Sequence, residues 1–233
     1  MPEENPTHFF LYRNCVLRIP SDVFVPKFGS LLLARHLPLQ DGDVVLDLGA
    51  GAGLIGIVAA RQGHRVVATD MVAACSEYTR ANALVNGVGD RLEVRTGDLF
   101  APVSDETFDV IATNPPQMPT PPDREWADPQ SLMDNGGPDG WSLLDRIIHE
   151  APEHLKLQGR LVFTLFGFLG VRRAEEKLRV AGLEPRILIQ AEQTLPRIAR
   201  ERLDYIRSLD TDGALPPGRP PTCSRLILCG QKG

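Results

Sequence analysis

Residues 47–53 spell Asp-Leu-Gly-Ala-Gly-Ala-Gly, between an apolar run from Asp43 to Leu48 and an apolar helical pattern from Leu54 to Arg61. Three alternate glycines between a strand and a helix make a tight turn of bare backbone, with the helix N-terminal amides facing whatever occupies it. The chain beyond the turn continues the same alternation. Arg65 to Thr69 is a second strand and Val72 to Asn86 a helix stopped by Gly87. Leu92 to Arg95 is a third strand, and Phe108 to Thr113 a fourth that runs into Asn114-Pro115-Pro116-Gln117. A helix from about Gly140 to Leu155, a strand Arg160 to Phe166, a helix Val171 to Ala181 and a strand Pro185 to Gln190 follow. Glu192 to Leu209 is charged and helix-compatible, Asp210 to Thr222 a Pro/Gly-rich loop, and Ser224 to Cys229 a last strand. This pattern predicts an α/β fold with a doubly wound, mostly parallel sheet that binds ligands at the carboxyl ends of its strands. Residues 1–233 are expected to form a single domain, in which 1–40 cover the site and the Pro/Asp/Gly-rich stretch 118–139 is a candidate lid hinged at Gly136-Gly137.

Gly51-x-Gly53-x-x-Gly56 also satisfies the dinucleotide fingerprint, and Asp70 ends the second strand where a ribose-binding acid belongs. Two features separate NAD from S-adenosylmethionine. Asp47 points a carboxylate into the turn, which suits an ammonium group and repels a pyrophosphate, and Gly97-Asp98 ends the third strand. The methyl donor fits better. Asp47, Gly49, Gly51 and Gly53 would then hold its amino-acid end, Asp70 its ribose hydroxyls, Met71 its adenine face, and Asp98 with Leu99 its adenine amine, with Asn114 closing the site. Plainer roles stand beside these: Asp70 as a helix cap, Asp98 as a turn residue, Met71 as core filler.

In Asn114-Pro115-Pro116-Gln117 the two prolines fix the backbone and remove two amide donors. The Asn114 side-chain carbonyl and the Pro115 carbonyl remain as acceptors for N–H groups, which would orient a planar amide or aromatic amine toward an electrophilic methyl. With these motifs the chain resembles the class I S-adenosylmethionine-dependent methyltransferases. It is most similar to those with an Asn-Pro-Pro-aromatic motif, and among them to the protein-glutamine N-methyltransferases that act on translation release factors. Asp22-Val-Phe-Val-Pro26 before Leu31-Leu-Leu, the 47–53 turn, Asn114 to Gln117, and Gly136-Gly137-Pro-Asp-Gly140 carry the resemblance, over roughly Asp22 to Gln190. It implies a Rossmann-like seven-stranded sheet with an antiparallel C-terminal strand, S-adenosylmethionine as cofactor with S-adenosylhomocysteine as product, catalytic Asn114 and Pro115, and substrate contacts from Phe24, Pro116, Gln117 and Trp126.

The chain departs from that family twice: Gln117 replaces its aromatic residue, and Gly29-Ser30 replaces an Asp-Thr pair. A flipped base needs an aromatic face, so nucleobase methylation suffers most. Gln117 adds a donor and an acceptor, which favours a small amine, amide or amino-acid-like metabolite over a protein glutamine. Trp126 or Trp141 could replace the missing ring, although both more often act as packing anchors. A methionine-type S-methyltransferase, a non-catalytic S-adenosylmethionine-binding module and an NAD oxidoreductase complete the alternatives. The charge balance of 25 Lys+Arg against 30 Asp+Glu, net −5, provides no basic field for nucleic acid. Cys15, Cys75, Cys223 and Cys229 show no metal-ligand spacing, and the five histidines form no pairs, so no metal is expected. Reduced thiols, no signal-like segment and no long apolar stretch predict a cytoplasmic protein without membrane passage. The arginines between Arg197 and Arg207 read as a solvated helix face, or as a binding site for a substrate carboxylate.

Overall fold

The computed structural model describes residues 7–20, 23, 25–124 and 133–233. Two strands, β1 (Thr7–Tyr12) and β2 (Cys15–Pro20), form an antiparallel hairpin of their own, in register Thr7↔Pro20. Helix α1 (Phe28–His36) precedes β3 (Val44–Leu48), α2 (Leu54–Arg61), β4 (Arg65–Asp70), α3 (Ala73–Val85), β5 (Leu92–Thr96) and β6 (Phe108–Thr113). After the loop come α4 (Ser142–Glu150), β7 (Leu155–Phe166), α5 (Val171–Val180) and β8 (Leu183–Thr194). Two short helices, α6 (Arg197–Glu201) and α7 (Leu203–Leu209), lead to β9 (Thr222–Lys232). The sheet has seven strands in the order β5-β4-β3-β6-β7-β9-β8, as expected of a doubly wound α/β fold.

The chain divides into two compact units, Met1–Asn114 with His154–Gly159, and Pro115–Glu153 with Arg160–Gly233. In the first, β5, β4, β3 and β6 are all parallel, with Leu46 opposite Val67 and Ile111. Parallel strands are covered on both faces, and Val45, Leu46 and Leu48 are accordingly buried. Helix α2 is buried from Leu54 through Ala60, which explains a sequence that is apolar all round. In the second unit β9 runs antiparallel to both β7 and β8, the expected antiparallel C-terminal strand. Trp141, Phe163 and Phe168 are fully buried there, and truncating any of them to Ala would cost about 3–5 kcal/mol.

The hairpin β1–β2 and helix α1 were not expected from the sequence, β7 and β9 are longer than the strands read there, and two further boundaries differ for a clear reason. The helix expected to reach Leu155 ends at Glu150, because Pro152 cannot donate to the helix and turns residues 151–154 into a 3-10 segment. The segment from Glu192 begins as the end of β8, and becomes helical only after Pro196 fixes the backbone for α6. Among the described residues no helix is long and apolar enough to cross a membrane.

Candidate functional site

At the end of β3 the backbone enters the left-handed region at Gly49 (φ 75°), Gly51 (φ 58°) and Gly53 (φ 85°), a path that other residues follow only under strain. The glycines divide by surroundings. A Cβ built on Gly49 or Gly51 meets nothing within 4 Å, so open space lies beside bare backbone. At Gly53 it would strike Thr79 Cγ2 at 2.9 Å, and at Gly56 it would crowd Asp47 Oδ2 at 3.1 Å; these two serve packing.

Asp47 differs from the sequence expectation. Its side chain is fully buried beneath the turn instead of facing a ligand's ammonium. Oδ2 accepts from the Gly56 amide at 2.8 Å, which pulls the carboxylate inward under the first turn of α2. Oδ1 has no hydrogen-bond partner. Burial, partly offset by the Gly56 amide and reinforced by the nearby Asp70 charge, pushes the Asp47 carboxyl up to about 7.

Asp70 sits at the carboxyl end of β4, half-buried, and ties two backbone segments together. Its Oδ2 accepts from Gly51 N at 2.8 Å and its Oδ1 from Val72 N at 2.9 Å. Each carboxylate oxygen accepts more than one bond, so the diol role is compatible with these contacts. Helix α3 starts without a side-chain cap, which removes the N-cap role weighed for Asp70. Met71 is 71% exposed and therefore is not core filler. Asp98 is exposed beside Leu99, a non-glycine residue at φ 43° whose carbonyl accepts from Thr69 Oγ1 at 3.4 Å. Left-handed backbone at such a residue costs roughly 1–2 kcal/mol and concentrates at functional sites.

At the end of β6, Asn114 Nδ2 donates to Ser30 Oγ on α1 at 2.8 Å. Ser30, at one of the positions where the chain departs from the family it resembles, thus fixes the plane of the Asn114 amide. Phe24 and Trp126 lie outside the described residues.

In the second unit, Gln117 is 2% exposed and its amide is used internally. Its Nε2 lies within bonding distance of Thr164 O and Thr164 Oγ1, each at 3.1 Å, and of Pro115 O at 3.3 Å, while Oε1 accepts from Phe166 N at 3.0 Å. The substrate-binding role expected of Gln117 is therefore corrected: its polar atoms serve β7. Thr164 Oγ1 also accepts from the buried Arg225 at 2.7 Å, and that guanidinium lies 3.8 Å over the Phe166 ring. Burial lowers the Arg225 pKa to about 9. Arg202 is likewise buried, donating to Pro119 O and Thr120 Oγ1, so it serves neither a solvated face nor a substrate carboxylate. Trp141 donates Nε1 to Leu169 O at 3.1 Å and is a packing anchor, not a substitute aromatic surface.

The ends of the candidate lid are fixed. Met118 N donates to Asp134 O, Gly136 N to Met118 O, and Thr120 N to Gly137 O, at 2.8–2.9 Å. Gly136 is a close-approach glycine, since a Cβ there would lie 2.5 Å from Gln117 Cα, so the expected hinge is a packing contact. Residues 125–132, the middle of that stretch, lie outside the described residues.

The sequence reading assigned no role to Thr79, Asn82, Thr164 and Arg225, and it marked Ser30 only as a departure from the resembled family's pattern. Only α3 carried a signal: Thr79, Asn82 and Asn86 are polar residues at helical spacing on a face that also holds Cys75 and Ala83.

The family model "Methyltransferase small domain" matches residues 24–120. A protein of Methanocaldococcus jannaschii, named by inference as a protein N5-glutamine methyltransferase, is 32% identical over 172 residues, covering 73% of this chain and 86% of the relative. The release factor glutamine methyltransferase of Aquifex aeolicus is 35% identical over 156 residues, 62% of this chain and 55% of that protein, so the chain spans about half of this longer relative. Among solved structures, the E. cuniculi complex responsible for methylation of the eRF1 translation termination factor contains a chain of the same fold. That match has TM-score 0.62 and 21% identity, and covers 91% of this chain and 99% of the other.

Proposed function

The chain belongs to the S-adenosylmethionine-dependent methyltransferase family that contains the protein-glutamine N5-methyltransferases, and on that premise we propose that it methylates the side-chain amide nitrogen of a protein glutamine. The observation that carries this choice is the fate of Gln117. A metabolite acceptor was favoured by the polar groups at that position, and those groups are bonded to Thr164 and Phe166. The feature that favoured a metabolite is thereby spent inside the fold, and the acceptor named for the relatives supports a protein glutamine.

Open space beside Gly49 and Gly51, the half-buried Asp70 and the exposed Met71 fit an adenosine carrying an amino-acid tail. Bound S-adenosylmethionine supplies an electrophilic methyl group on a positively charged sulfur. The chain's part is position. The bare backbone at Gly49 and Gly51 takes the amino-acid portion, Asp70 the ribose, Met71 the adenine face, and Asp98 with Leu99 the adenine amine. Asn114, anchored by Ser30, accepts an N–H group of the acceptor amide through its side-chain carbonyl. An amide nitrogen shares its lone pair with its own carbonyl, so donating N–H to strong acceptors raises its electron density and fixes its plane. The surplus proton leaves the nitrogen after transfer, which asks no general base of the chain.

The test is radiolabelled methyl transfer to three pools: release-factor protein, RNA, and a small-molecule extract. Label in protein, at glutamine, is expected. Label confined to the extract would restore the metabolite reading.

A further inference from the structure

Thr79 and Asn82 stand three residues apart on one face of α3, Asn86 follows four residues later at the helix C-cap, and all three are buried. Thr79 Oγ1 donates to Gly51 O at 3.0 Å and Asn82 Nδ2 to Ala52 O at 3.0 Å, so two successive carbonyls of the glycine turn are pinned from α3. Asn82 also brackets β2, donating to Arg18 O at 3.1 Å and accepting from Arg18 N at 2.8 Å. Asn86 does the same to Val16, at 2.7 and 3.0 Å, and makes no bond to the turn.

In a planar trans peptide the N–H points opposite to the C=O. Turning Gly51 O toward Thr79 aims the Ala52 amide away from α3. Holding Ala52 O on Asn82 sends the Gly53 amide the other way, where it donates to Ala50 O at 2.8 Å and closes the turn. Backbone amides are useful to a ligand only when their direction is fixed in advance.

We infer that Thr79 and Asn82 are positioning residues for S-adenosylmethionine, acting through the Gly51 and Ala52 carbonyls that they hold. This rests on the reading that the glycine turn holds the methyl donor. Asn86 shares the hairpin contact and lacks the turn contact, so it separates the two effects.

Calorimetric titration with S-adenosylhomocysteine and initial-rate kinetics test the inference on the full chain. Asn82→Ala is expected to raise Kd and the KM for S-adenosylmethionine about tenfold, with kcat at saturation within about threefold of wild type. Thr79→Val, which keeps the shape and deletes one hydrogen bond, is expected to raise both about fivefold. Asn86→Ala stays within about twofold. If Asn82→Ala does not fold, Thr79→Val decides by itself. Unchanged affinity in Thr79→Val, or an Asn86→Ala loss equal to that of Asn82→Ala, overturns the inference and leaves the cofactor site standing. A wild type that does not bind S-adenosylhomocysteine removes the cofactor reading and this inference with it.

Discussion

The turn after β3 and the turn after β6 both follow a parallel strand's carboxyl end, and they are held in opposite ways. The first is all backbone on its outer side. Its support comes from beneath and beside it, from Asp47, Asp70, Thr79 and Asn82, and the space over Gly49 and Gly51 is left open. The second is packed inward: Gln117 inserts its amide into β7, Gly136 lies against its Cα, and Arg202 holds the carbonyl of Pro119. One turn keeps side chains out of the way of a ligand; the other uses a side chain to keep a proline-rich segment from moving. On the proposed function the first turn would receive a flexible cofactor and the second present a fixed acceptor site, different tasks that each call for their own kind of support.

If that contrast is right, damage to the second turn should appear as lost rate or lost stability, and damage to the first as lost affinity. The largest effect is expected from Asn114→Ala, which should lower kcat by roughly 100- to 1000-fold while S-adenosylhomocysteine affinity changes less than about threefold. Equal losses in kcat and affinity would place Asn114 with the cofactor alone. Gln117→Leu should destabilise by about 3 kcal/mol, because Phe166 N and Thr164 lose their buried partner. Gln117→Tyr should lose stability and activity as well, since the site has no room for a ring; a Tyr variant faster than wild type would show that position 117 does face the acceptor.

A pH series examines the support of the first turn. The Asp47 carboxyl is raised from 3.8 to about 7 in the folded chain, so the folded state holds a proton that the unfolded state has released. Its contribution to stability is complete below pH 3.8 and is lost as pH rises through about 7. Urea unfolding should therefore show stability declining by on the order of 3 kcal/mol between pH 4 and 7, and Asp47→Asn should flatten that slope. An identical slope in the variant would assign it to other groups. The smallest expected effect is that of Met71→Ala: about threefold weaker S-adenosylhomocysteine binding with unchanged unfolding, as suits a side chain 71% exposed.

The glycine turn was legible because its geometry is a local property of the residues that form it. The strands from β3 onward and α2 were legible for the same reason, through their period and length, whereas the β1–β2 hairpin, inside the stretch read only as a covering segment, was not. Gln117 was not, because its partners lie 47 and 49 residues away and nothing in the motif announces them. Asp47 was half legible. Its place under the turn followed from the sequence, but its direction was decided by the Gly56 amide, whose residue has no side chain to keep the carboxylate out. The burial of Arg202, read with its neighbours as a solvated face or a carboxylate site, and of Arg225 in the last strand was not legible, since burial of an arginine is set by tertiary packing.

The two asparagines that bracket β2 do the work of a neighbouring strand. A helix advances about 6 Å over four residues and a strand about 6.8 Å over two, so amides at 82 and 86 match the backbone groups at 18 and 16 without a strand being present. That closes an edge which would otherwise invite pairing with another chain. It also makes the contact indifferent to which side chains β2 carries, because only main-chain atoms are read. Mutational tolerance should therefore be lopsided: Val16 and Arg18 free to vary, and the two amides that hold them free to vary very little.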